Sequence, residues 1–72
     1  MQKYIDKQWQ LAMQDFSKDI TSIGMDLWIN PLEPINIDDE KLVLVTPTAM
    51  ARDTILRTYA SKILPIIKKY FN

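Results

Sequence analysis

Residues 33–48 read EPINIDDEKLVLVTPT, and this stretch decides the fold. Upstream of it, apolar residues recur at three- and four-residue steps. Here Ile35 and Ile37 alternate with polar neighbours, and Leu42, Val43, Leu44 and Val45 form a short aliphatic run. A switch from helical period to a period of two marks strands. Asp38, Asp39, Glu40 and Lys41 separate the two runs and suit a tight, solvated turn. The stretch therefore predicts an antiparallel hairpin from Glu33 to Thr46 with an acidic turn. Pro47 closes the second strand, and Thr48 is a suitable N-cap because its hydroxyl can accept a hydrogen bond from a free first-turn amide. A helix is expected to begin near Ala49.

Towards the N-terminus, Lys3 to Ile20 contains neither Gly nor Pro. Ile5, Trp9, Ala12, Met13, Phe16 and Ile20 define the buried stripe of an amphipathic first helix. Thr21 and Ser22 are each able to cap a short second helix, Ser22 to Ile29, which Asn30-Pro31 ends. Towards the C-terminus, the third helix has the stripe Ile55, Leu56, Tyr59, Ile63 and Ile66 or Ile67. Pro65 lacks a backbone donor and is expected to kink or break that helix near Leu64. The result is an α+β chain in the order α-α-β-β-α. Residues 1–72 suffice for a single domain with one modest core.

Hydrophobic residues make up 47% of the chain and charged residues 25%, a globular balance. With no Cys there is no disulfide and no thiolate, and with no His the usual general base and commonest metal ligand are missing. The one glycine, Gly24, cannot build a phosphate-cradling loop. Asp38, Asp39 and Glu40 lack the spaced oxygens of a calcium loop. Catalysis, metals and cofactors are therefore not expected. Leu42 to Val45 is the longest aliphatic run, far below the ~20 residues that span a bilayer. Lys3, Asp6, Lys7 and Asp15 interrupt any signal-peptide core, so a cytoplasmic location is expected.

The charge is unevenly distributed. Residues 1–40 hold three Lys and eight acids, a net −5, while residues 41–72 hold six Lys or Arg against Asp53, a net +5. Such asymmetry fits head-to-tail contact between like domains, a weakly basic face for an acidic partner, or ordinary solvated surfaces.

At 100° per residue, Tyr4 and Leu11 lie roughly 140–160° from the Trp9 and Phe16 stripe and form an outward patch. Met50 falls opposite the stripe of the third helix and should be exposed in its first turn. Exposed Met and aromatic side chains are common in adaptable binding surfaces, although single surface hydrophobes are also normal. Trp9 reads as core, and as a contact residue wherever that core runs out.

Trp9, Phe16 and Ile20, the segment Met25 to Leu32 (MDLWINPL), and Leu42 to Pro47 (LVLVTP) occur in an order that resembles the N-terminal domain of the DnaA replication initiators. Tyr59 and Ile63 complete the pattern. Met25 stands where an aromatic is usual, Gly24 where a polar or acidic residue is frequent, and Thr54 where a large apolar residue is common. The resemblance implies a two-layer α+β, K-homology-like fold with the hairpin packed on the helices, whose usual last strand follows the third helix. Either the sequence to Asn72 stops short of that strand or this member ends in the kinked helix after Pro65. It implies an interaction function, in the cytoplasm at the nucleoid: self-association at the origin, contact with the replicative helicase, and binding of species-specific regulators. Carried over by position, Trp9 matches the self-association tryptophan, Met50 a helicase-contact residue, and Gly24 a second helicase-contact position, with Met25 grouped beside it as partner-binding. Tyr4 and Leu11 are added to the self-association surface by helical geometry alone.

Two other readings use the same residues. One is a stand-alone adaptor that mimics such a domain. The other is a weak single-stranded nucleic-acid binder using Arg52, Arg57, Lys62, Lys68 and Lys69, although a K-homology clamp needs a Gly-x-x-Gly loop. DNA contact is thus expected to be weak or absent.

Overall fold

The computed structural model describes residues 2–39 and 41–71. Glu40, part of the expected acidic turn, and Asn72 lie outside the described residues. Helix α1 is Gln2–Asp19. Helix α2, residues 22–29, is an α-helical turn Ser22–Gly24 followed by a π-helical turn Met25–Ile29. Strands β1 (Glu33–Asp38) and β2 (Lys41–Val45) pair antiparallel, and helix α3, residues 49–71, closes the order. Among the described residues the sheet has two strands.

Both caps form locally. Thr21 Oγ1 accepts from the Gly24 amide at 3.1 Å and Thr48 Oγ1 from the Ala51 amide at 3.0 Å, each satisfying one free first-turn donor. The core lies where α1 meets α3 and the segment 25–32. Ile5, Trp9, Ala12, Phe16 and Ile20 of α1 are buried with Met25, Ile29, Leu32, Ile55 and Ile63. Phe16, Ile5 and Ile29 are fully enclosed, and the Trp9 ring meets Phe16 edge-on at 5.6 Å.

Three expectations need correction. Ile35 and Ile37 do not share a face: the register slips between Pro34 and Asn36, and this bulge leaves Ile35 exposed while Ile37 is half-buried. Leu56 is not in the stripe of α3 but 64% exposed. It lies in a π-helical turn, Ile55–Tyr59, whose wider winding breaks the 100° count used to place it. Pro65 does not end the helix, which runs on as Ala60–Phe71. Only the Ser61 carbonyl loses its donor, and both Ser61 and Pro65 face solvent, where water can satisfy it. Beyond Pro65, Ile66, Ile67, Tyr70 and Phe71 pack against the core and hold the last turns in place.

Candidate interaction surfaces

Because α3 continues past Pro65, its end reaches back to α1. Tyr70 donates its hydroxyl to Asp15 Oδ2 at 2.8 Å, Lys69 Nζ meets the same oxygen at 3.2 Å, and Gln8 Nε2 donates to the Tyr70 carbonyl at 2.6 Å. The Tyr70 hydroxyl, aided by Lys69 and Lys18, holds the Asp15 carboxyl below its ordinary value of 3.8 against the opposing effect of desolvation. The same carboxylate raises Lys69 above 10.5.

This seam changes the setting of the Tyr4 and Leu11 patch. At 100° per residue, Tyr4, Gln8, Leu11 and Asp15 lie within roughly 60° of one another, so the face that bonds to α3 is the face of the patch. Tyr4 is 47% exposed, with its ring edge-on to Phe71 at 6.4 Å, and Leu11 is half-buried. The expected outward patch is therefore flanked by the last turn of α3.

Trp9 is 6% exposed, so it belongs to the core. It nevertheless lines an open pocket of about 390 Å³ with Asp6, Gln10, Met13, Asn30, Leu32 and Pro34. Removing its side chain would cost roughly 3–5 kcal/mol of stability, by the usual cost of truncating a buried aromatic.

Met50 is 70% exposed in the first turn of α3, directly after the Thr48 cap, as helical counting predicts. Gly24 and Met25 are buried, and in this conformation neither presents side-chain area to a partner. A Cβ on Gly24 would lie 2.9 Å from the Tyr59 hydroxyl and 3.0 Å from Ile20 Cγ2, so the position lets α2 approach α3.

Two features escaped the sequence reading. Ile23 and Leu27, four residues apart on α2, are 70% and 59% exposed. That spacing was readable as a ridge once Met25 and Ile29 had been placed inside. The second is an apolar groove of about 460 Å³ between β2 and α3, floored by Leu42, Leu44, Ile55 and Ile63 and bordered by Lys41, Arg52 and Lys68. Leu56, the exposed leucine of the π-helical turn, is among its lining residues. At one end Thr46 Oγ1 is buried without a hydrogen-bond partner among the described residues.

The described residues contain no group of three His, Cys, Asp or Glu that could hold a metal ion. No described helix is long and apolar enough to cross a membrane. Of the basic residues on α3, Lys62 donates to the Asp19 carbonyl, Lys69 is engaged by Asp15, and Arg52 contacts Asp53.

A family model described as the DnaA N-terminal domain matches residues 6–69. The chromosomal replication initiator protein DnaA from two strains of Thermus thermophilus is 34% identical over 55 residues, which is 76% of this chain. The matched region is 13% of the length of those relatives. No solved structure matches the chain at comparable significance.

Proposed function

The chain belongs to the DnaA N-terminal domain family, and from that premise we propose that it is a protein–protein interaction domain of a replication initiator, one that joins copies to each other and recruits the replicative helicase or initiation regulators. The role needs no bond-making chemistry, and with no His, no Cys and no cofactor loop the chain has little to offer for any. The setting is the cytoplasm, at the origin on the nucleoid.

The observation that carries the partner half of this reading is Met50. A large, flexible, polarizable side chain, 70% exposed on a capped helical turn, is suited to enter a partner's apolar pocket. Met50→Asp is expected to weaken binding of the purified domain to its replicative helicase by about tenfold or more, equivalent to ~1.4 kcal/mol. Its thermal unfolding should not change, because the side chain is not part of the core. Unchanged affinity in biolayer interferometry would remove Met50 from the contact.

The self-association half is supported by the open pocket beside Trp9. Tyr4, on the other side of α1, is a separate exposed contact candidate, with Leu11 half-buried beside it. Trp9→Phe is the appropriate probe, since it keeps an aromatic ring against Phe16 while removing the indole edge. Sedimentation equilibrium should show weaker association than wild type. Equal association with an equal folded fraction would exclude Trp9 as a contact.

A further inference from the structure

The groove between β2 and α3 and the Ile23–Leu27 ridge are both apolar, both exposed, and opposite in charge. Leu56 and Leu64 stand at the groove 64% and 52% exposed, and its borders carry Lys41, Arg52 and Lys68. The ridge carries Asp26 between its two side chains and follows Asp19, and residues 19–29 hold not one Lys or Arg. Neither feature is covered by the other in the folded chain, since both remain exposed.

We propose that the groove of one copy receives the Ile23–Leu27 ridge of a second copy, in a head-to-tail contact. This inference rests on the self-association reading above and assigns it a second surface, separate from Trp9. Two aliphatic side chains at i and i+4 project together from one helical face, so they can enter one elongated groove. An opening of about 460 Å³ admits side chains, not a whole helix. Asp26, one residue before Leu27, is carried towards the basic border, where opposite charge favours this orientation over its reverse. The two surfaces differ, so the contact is heterologous: each added copy leaves a free groove at one end and a free ridge at the other. Mass therefore rises with concentration beyond the dimer.

The experiment uses Leu56→Glu, which spoils the groove, and Leu27→Glu, which spoils the ridge. Both side chains are exposed, so both variants should keep the wild-type circular dichroism spectrum and unfolding midpoint. In sedimentation velocity, on a Trp9→Phe background that removes the first surface, each variant alone is expected to be monomeric at concentrations where Trp9→Phe by itself still associates. Their equimolar mixture retains one intact groove and one intact ridge, and it is expected to form heterodimers and to stop there. Exchanging the charges, Arg52→Glu with Asp26→Arg, should restore association that either change alone weakens severalfold.

Undiminished association of either Leu variant on that background, or a mixture that stays monomeric, overturns the proposal. If the groove instead takes an acidic amphipathic peptide from another protein, Leu56→Glu leaves self-association intact, and the proposal falls by that result. Loss of association in Trp9→Phe together with its persistence in both Leu variants with Trp9 intact preserves the self-association reading and rejects this contact. A wild type that is monomeric at every concentration rejects both.

Discussion

Gly24 has ordinary helical dihedrals, φ −61° and ψ −40°, so it is needed for space and not for conformational freedom. Alanine in a helix ordinarily gains about 1 kcal/mol over glycine. Here that gain is opposed by the Tyr59 hydroxyl, 2.9 Å from where the methyl would lie. Gly24→Ala is therefore expected to be destabilising by about 1 kcal/mol in wild type and less so, or stabilising, with Tyr59→Phe. Urea titration of the four proteins should give a coupling of about 1 kcal/mol, and additive effects would show that the hydroxyl yields freely. Asp15 makes a different prediction. Its folded pKa is lowered, so the native state gains stability above the unfolded value near 3.8 and loses it as pH falls through the folded value. Lys69 is raised, so its contribution is present below 10.5 and is lost as pH rises through the folded value. The seam thus works across the whole interval between. Asp15→Asn should lower the melting temperature at neutral pH, and its deficit should shrink on acidification below 3.8. A deficit that stays constant at the acid end would mean that charge is not what Asp15 contributes.

At the scale of elements, α3 carries a cost that its packing offsets. A helix-interior proline is ordinarily ~3 kcal/mol worse than alanine. Pro65→Ala restores a donor for Ser61 without disturbing the buried face, and it should raise stability by about 1–3 kcal/mol in chemical denaturation. No gain would indicate that the helix is already bent to accommodate the ring. The same helix shows what was legible in the sequence. Caps, turn and hairpin depend on neighbours a few residues apart, so Thr48, Pro47 and Leu42–Val45 could be read directly. Regular counting also placed Ile5, Trp9, Phe16 and Met50 correctly. It failed at Leu56 and at Ile35, where a π turn and a bulge each alter the period by a local change of winding that side-chain identity does not announce. The consequence of Pro65 was hidden for another reason: whether a helix survives a proline depends on what its far turns bury. Tyr70 and Asp15, which help to hold those turns, are 55 residues apart in sequence. The expected Tyr4 and Leu11 patch changed with it, while the groove needed both β2 and α3 in place before it existed.

For the molecule as a whole, the split between a −5 half and a +5 half gives association a salt dependence. Raising ionic strength from about 0.01 M to about 1 M shortens the screening length from ~30 Å to ~3 Å. Self-association is expected to weaken severalfold over that range when followed by sedimentation, and constant or stronger association would point to an apolar contact alone. The bulge in β1 and the exposed Ile35, Val43 and Val45 have a further consequence. Among the described residues the sheet has two strands; β1 is interrupted by Pro34 and the bulge, while β2 presents a regular backbone with apolar side chains on its outer face. In storage, the same hairpin that shapes the groove is where irreversible clumping should begin, by strand edges joining across molecules. The shelf life of a concentrated sample is then set at β2, on the face turned away from the helices that carry most of the fold.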